Sequence, residues 1–436
     1  MTSAPSKRFY GYTAIVFMVV TMFSIYGVYA VFTNMMAEIM ARLSIDAAQL
    51  GVAITLRSTI GFLVSIVAYK IYPIIKPNMC MILSAAGMVV MVATFLWGPL
   101  WSIYVSSTLY GFCMGTGMQV GMPVYVSQWF IERRDEMVGY GFAAVNGGTA
   151  IASVIFGLLT ANFGSMMASI IMMVGFGGLS VLATFFLRNP ETMGQKPLGF
   201  DKVSDGDADA TDEENLPGLS GVQTRKTPSF WILAVGLLIV GAAFTAPTYI
   251  TVIVSSVGFS ATETSFIYSV FTACAALAMV LYGNISSRFG VKPFMILGAV
   301  SLIVFCALFA YSTVSGWSNP IIFYVICGGI GFGTSAVGLV PALVTPAIFG
   351  ERSISGSTPM LQMALAFGNG LPVSLLPISV ALTGAWTVTL VLCLAVAVVV
   401  RALIFASYAL SPMKKWRLEH PNFAEEVAAR LAAKRS

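Results

Sequence analysis

Twelve apolar stretches follow one another along the chain, separated mostly by short polar segments. This pattern constrains the fold more than anything else in the sequence. A helix crossing about 30 Å of hydrocarbon needs roughly 20 apolar residues, and stretches of that kind fall near 10–35, 47–69, 78–97, 101–127, 137–161, 165–187, 229–252, 262–283, 292–312, 319–345, 353–380 and 384–410. Of the 436 residues, 58% are hydrophobic and only 9% charged, against roughly 25% charged in an ordinary soluble domain. Backbone groups in lipid must bond within their own segment, and no barrel-like alternation of apolar and polar residues appears, so the stretches are helices. The expected class is an all-α membrane protein with twelve transmembrane helices in two six-helix halves. The first stretch, from Tyr10 to Met36, is too long for a signal-peptide core and lacks a small-residue cleavage site, so it reads as a first span.

Lys and Arg give the orientation. With a cytoplasmic N-terminus, the inner segments hold Lys7, Arg8, Lys70, Lys76, Arg133, Arg134, Arg188, Lys196, Lys202, Arg225, Lys226, Arg288, Lys292, Arg352 and the tail residues Lys414, Lys415 and Arg417, whereas the outer loops hold only Arg42. This asymmetry predicts a multi-pass protein of the cell membrane with both termini cytoplasmic. The same scatter of basic residues, at a net charge of +5, gives no nucleic-acid surface. The expected organisation is a first half over 1–187, a cytoplasmic linker over 188–228, a second half over 229–410 and a tail over 411–436. The linker carries Asp201, Asp205, Asp207, Asp209, Asp212, Glu213 and Glu214 and reads as a polar connector.

The halves resemble each other. The fourth span reads GFCMGTGMQVGMP from Gly111 to Pro123, and the tenth reads GIGFGTSAVGLVP from Gly329 to Pro341. Gly111, Gly115 and Pro123 fall on Gly329, Gly333 and Pro341. The second and eighth spans open with similar signals, Ser44-Ile45-Asp46 and Ser260-Ala261-Thr262-Glu263. Parallel six-helix repeats are a transporter architecture with the substrate site near the membrane midplane.

The segment from Gly283 to Lys292 reads GNISSRFGVK. It resembles the G-x-x-x-D-R-x-G-x-K loop signature of the major facilitator superfamily: Gly283, Arg288, Gly290 and Lys292 match, and Ser287 stands where the family has Asp. The same loop in the first half, Ala68 to Pro77, keeps only Lys70 and Lys76. The resemblance spans the chain and implies the twelve-helix carrier fold, with Gly283, Arg288, Gly290 and Lys292 in a cytoplasmic gating loop. Phe9-Tyr10-Gly11-Tyr12, Gln128-Trp129-Phe130 with Arg133 and Arg134, and Thr227 to Trp231 further resemble the oxalate–formate antiporter-like and monocarboxylate carriers, in patches only. Those groups imply carboxylate-gripping basic residues in the eighth and eleventh spans; here Met279 lies near that position in the eighth, and the eleventh has no lysine.

Arg57 is the most informative single residue. It lies about ten residues into the second span, roughly 15 Å deep at 1.5 Å per residue, where an arginine costs about 2.5–3.5 kcal/mol on insertion scales. Its planar fork suits a substrate carboxylate; bonding to helix carbonyls or a tyrosine is the structural alternative. Tyr26, Tyr29, Gln119, Asn146, Tyr249, Tyr268, Gln362 and Asn369 lie at similar depth, and each is either a substrate contact or a link between helices. No Asp or Glu lies at a midplane, which leaves Glu38, near an outer end, as the candidate proton relay. Arg401 lies closer to the cytoplasmic end of the last span, within snorkelling reach of the interface, and reads as structural.

Neither the single His420 nor the six scattered cysteines make a metal site or a disulfide framework. No nucleotide-binding loop is present. The sequence therefore predicts a non-enzymatic, monomeric secondary carrier without a cofactor, in contact with membrane lipid, that moves a small anionic solute (a mono- or dicarboxylate) as antiporter or proton symporter. An exporter of drugs or other apolar compounds is the alternative, favoured by the 24 methionines. A membrane-embedded enzyme would need clustered His, Asp, Glu or Cys within the spans.

Overall fold

The structure, a computed structural model, describes residues 9–72, 74–130, 134–198, 217–370 and 377–423. Among these residues the helices order into twelve tracts. The first six are α1 (Gly11–Asn34), α2 (Ala47–Ile71), α3 (Pro77–Trp97), α4 (Leu100–Met114, a π turn at Gly115–Val120, then Gly121–Trp129), α5 (Arg134–Phe163) and α6 (Ser165–Met172, a π turn at Met173–Gly177, then Gly178–Thr184). The second six are α7 (Pro228–Ala243, Thr245–Thr248 and Ile250–Val257), α8 (Ala261–Phe289), α9 (Val291–Val314), α10 (Pro320–Gly338, a π turn at Val340–Val344, then Thr345–Phe349), α11 (Ile354–Gly368 and Ile378–Thr383) and α12 (Trp386–Ala409). Among the described residues, nine tracts contain a helix long and apolar enough to cross a membrane. The other three, α4, α7 and α11, show no helix of that length and hydropathy among the described residues. The protein is an all-α membrane protein. The acidic linker residues, together with Lys7, Arg8, Arg133 and Lys202, lie outside the described residues.

The helix starts follow from local chemistry. At the head of α2, Gln49 Oε1 accepts from the Asp46 backbone N–H at 3.2 Å, and Asp46 Oδ1 accepts from the Gln49 N–H at 2.7 Å. At the head of α8, Ser260 Oγ accepts from the Glu263 N–H at 3.3 Å, and Glu263 accepts from the Ser260 N–H at 2.9 Å. Each is a reciprocal capping box that satisfies two donors otherwise orphaned at a helix start. The two similar sequence signals thus become the same device, although the capping residue is Asp46 in one repeat and Ser260 in the other. In α4 and α10, π turns occur beside or at Pro123 and Pro341. A proline supplies no N–H to the i−4 carbonyl, and a widened turn accommodates the gap.

The described chain divides into two compact units, residues 1–35 with 60–204, and residues 36–59 with 205–436. Neighbour relations recur within them. In the first unit α1 packs along α5 and α6, and α3 along α4. In the second α7 packs along α11 and α12, and α9 along α10. The core of the second unit is built on residues such as Phe230, Leu237, Tyr282, Phe294, Phe349 and Val400. The short helix Met36–Leu43 and the first half of α2 fall in the second unit rather than with the rest of the first six helices. Contacts of the short helix with Ile250–Val257, and of α2 with Gly370, account for this.

Within the second unit, α7 and α11 approach closely through two glycines. A Cβ at Gly241 would collide with the Gly368 carbonyl, and a Cβ at Gly368 would collide with the Leu237 carbonyl. Small residues permit such backbone contact between membrane helices. Gly241→Ala is therefore expected to force the helices apart, at an overpacking cost of about 1–3 kcal/mol. The detergent-solubilised variant should melt several degrees below wild type in a thermal unfolding assay.

Candidate functional site

Arg57 is the eleventh residue of α2, counting from Ala47, and its side chain is half-buried. Its turn of helix is held by its neighbours. Thr55 Oγ1 donates to the Gly370 carbonyl at 3.4 Å, and the Ser58 Cβ lies so close to Gly370 that a Cβ there would sit 2.7 Å away. Asn369, exposed, immediately precedes that glycine, and Gln362, also exposed, lies two turns earlier on α11. The boundary between the two compact units crosses α2 just after this turn, between Thr59 and Ile60.

Tyr249 sits at the second break in α7, where the backbone leaves helical geometry at φ −102° and ψ 17°. The residue is fully buried. Its phenol donates to the Ala47 carbonyl at 3.3 Å, and its ring lies 5.5 Å from Trp386. It therefore clamps the first turn of the helix that carries Arg57. Tyr268, on α8, is 7% exposed and stacks on Phe271 at 5.7 Å.

In the first unit, Tyr26 and Tyr29 meet edge to face at 5.8 Å on α1. Asn146 is half-buried on α5, the helix packed along α1. Gln119 falls in the π turn of α4, and its side chain lies outside the described residues. Asn34 and Ser153 form a pair the sequence reading missed. Asn34 Nδ2 donates to Ser153 Oγ at 3.1 Å and to the Ala30 carbonyl at 2.8 Å, joining α1 to α5, while Asn34 Oδ1 is buried without a hydrogen-bond partner among the described residues. The signal available was an asparagine at the end of an apolar run, where an exposed cap is the usual reading. Glu38 is exposed, in the first turn of the short helix Met36–Leu43.

The loop between α8 and α9 has a physical reason for its glycine. Gly290 ends one helix and begins the next at φ 79°, a region that strains residues with a Cβ. Arg288 is exposed in the last turn of α8, and Gly283 lies five residues earlier. Ser287 Oγ donates back to the Asn284 carbonyl at 3.0 Å, so the side chain in the Asp position of the signature is engaged on its own helix. Lys292 lies over the Tyr408 ring at 5.7 Å.

Arg401 departs from expectation. It does not snorkel. It is 4% exposed, and its Nη2 donates to the Gly333 carbonyl at 2.8 Å and the Gly298 carbonyl at 3.3 Å. Glycines on α9 and α10 leave their carbonyls open to the guanidinium, so it is retained inside instead of reaching the interface. It braces three helices, in keeping with a structural role.

The family model of the Major Facilitator Superfamily matches residues 17–348. The chain belongs to the Major Facilitator Superfamily. As a member, it is a non-enzymatic, multi-pass secondary transporter that binds a small-molecule substrate. Among solved structures it is similar to the nucleoside transporter NupG, at TM-score 0.66 and 15% identity over 91% of this chain and 98% of that one. It is also similar to a bacterial homologue of the human lysosomal transporter Spinster in its inward-facing, occupied conformation, at TM-score 0.59 and 15% identity over 97% and 98%. Likenesses at this identity report the superfamily fold. A search of curated protein sequences gave no match.

Proposed function

We propose that this superfamily member carries a small organic anion, a mono- or dicarboxylate, across the cell membrane by alternating access, as an antiporter or proton symporter. The observation that carries the reading is Arg57, a half-buried guanidinium midway along a membrane helix. A cation at that depth is costly and marks a functional position by default. The Thr55 and Ser58 contacts to Gly370 hold its turn beside Asn369, which supports a cation and an amide acting on the same solute. A planar guanidinium grips a carboxylate through two parallel hydrogen bonds. Gln362, Tyr268, Tyr26, Tyr29, Asn146 and Gln119 are the further polar groups of this reading. Tyr249 enters it through its bond to Ala47, as the residue that fixes the helix bearing Arg57. Glu38 enters it as the relay of the proton-coupled form. Arg288, Gly290, Lys292 and Gly283 form its gating loop, on the cytoplasmic side with both termini.

The test is uptake into proteoliposomes of a panel of labelled mono- and dicarboxylates, with uridine and a cationic dye as controls, with and without an imposed pH gradient. Carboxylate uptake is expected. Its stimulation by acid outside marks proton symport, and dependence on internal carboxylate marks exchange. Transport of uridine or the dye alone would refute the anion reading.

A further inference from the structure

A second cationic feature lies away from Arg57. In the second unit, a cavity of about 520 Å³ opens between the start of α9, the end of α10, the end of α12 and the short helix Met413–Glu419. Lys292, Lys414 and Arg417 line it, and among the described residues no acidic side chain does. Phe405 and Tyr408 form its apolar wall. The Ser411 hydroxyl is already engaged, donating to the Ile348 carbonyl at 2.7 Å and accepting from the Met413 N–H at 3.3 Å. Recognition in this cavity therefore falls to the three cations. Clustered like charges repel, and an anion placed among them relieves that repulsion.

The surroundings separate a lipid from a soluble anion. Lys292 is in the first turn of α9, and Tyr408 is in the last turn of α12. The cavity thus sits at the ends of two membrane helices, the level of lipid headgroups. Positions four apart share a helix face, and below Lys292 the same face of α9 carries exposed Ile296, Val300 and Val304. An acyl chain has an apolar track leading directly from the basic cavity.

We propose that this cavity binds the phosphate of an anionic phospholipid, with Lys292, Lys414 and Arg417 around the headgroup and one chain along Ile296 and Val300. Basic pockets between membrane helices suit this chemistry. The site shares Lys292 with the gating loop of the proposed function, but lipid binding there does not depend on that reading.

The experiment measures binding of dioctanoyl phosphatidylglycerol, dioctanoyl phosphatidylcholine and sn-glycerol 3-phosphate to the full chain, purified and delipidated in detergent. Wild type is expected to bind the phosphatidylglycerol at least ten-fold tighter than the phosphatidylcholine. The triple variant Lys292→Gln, Lys414→Gln, Arg417→Gln should lose that preference. The exposed single variant Lys414→Gln should lose part of it, and Lys226→Gln, at an exposed lysine outside the cavity lining, none. Equal binding of the two lipids, an unchanged triple or single variant, or an equal loss in Lys226→Gln would overturn the proposal. Binding of glycerol 3-phosphate as tight as that of the lipid would also overturn it, by pointing to a soluble-anion site.

Discussion

Arg57→Gln is expected to reduce carboxylate uptake by proteoliposomes about 30-fold or more, with the protein still folded. Truncating one member of a desolvated charge pair typically costs about 2–5 kcal/mol, and each 1.4 kcal/mol is roughly a factor of ten. Glutamine keeps most of the length and some hydrogen bonding but no charge, so the loss isolates the cationic contribution. Arg57→Lys restores the charge without the planar fork, and its uptake should fall between the two. The half-buried setting of Arg57 tolerates these changes sterically, and Thr55 and Ser58 continue to hold the turn on Gly370. Uptake rates, with a thermal unfolding curve for each variant, check the series. Equal transport by wild type and Arg57→Gln would remove Arg57 from the substrate path.

Arg401 should behave in the opposite way. Arg401→Ala removes two donors bonded to Gly298 and Gly333 and opens a cavity among α9, α10 and α12. Hydrogen bonds to charged groups contribute about 1.5–3 kcal/mol each, and the cavity adds to the loss. Part of it is offset because the buried guanidinium no longer has to be desolvated, and Arg401 Nε has no hydrogen-bond partner among the described residues. Arg401→Met fills the volume with an apolar chain, and such replacements of buried charge are often neutral. The expected order of melting temperature in detergent is wild type or methionine highest, with alanine several degrees below both. The methionine variant should still transport. Transport lost in Arg401→Met at unchanged stability would assign the residue a role in the solute path.

Much of the fold was legible in the sequence because lipid leaves few options. A run of some 20 apolar residues must be helical and must span. The caps at Asp46 and Ser260 are local chemistry, readable from a few letters. The breaks in α7 at Phe244 and Tyr249 flank Pro247, whose missing N–H interrupts a helix; that proline was a local signal the twelve-stretch pattern passes over. The grouping of residues 36–59 with the second unit depends on packing at Gly370, more than 300 residues away in sequence. Arg401 shows the limit of reasoning from depth. Counting residues from a helix end gives the distance to water, but not that two glycine carbonyls lie open beside the side chain. The basic cavity likewise joins Lys292 to Lys414 and Arg417 across distant segments, which the sequence presented as one motif lysine and a basic tail. Arg57 stood out because charge is so scarce in the spans. The amides and phenols proposed to act with it did not, since such a group in a span serves helix packing as readily as binding.

Solute counterflow tests the central claim most directly. Proteoliposomes loaded with millimolar unlabelled carboxylate are diluted into trace labelled carboxylate. A carrier working by alternating access accumulates label transiently above equilibrium without any ion gradient. The account predicts such an overshoot for at least one mono- or dicarboxylate, none for uridine, and its loss in Arg57→Gln. An overshoot for uridine with none for any carboxylate, or no overshoot at all in vesicles containing folded protein, would contradict it.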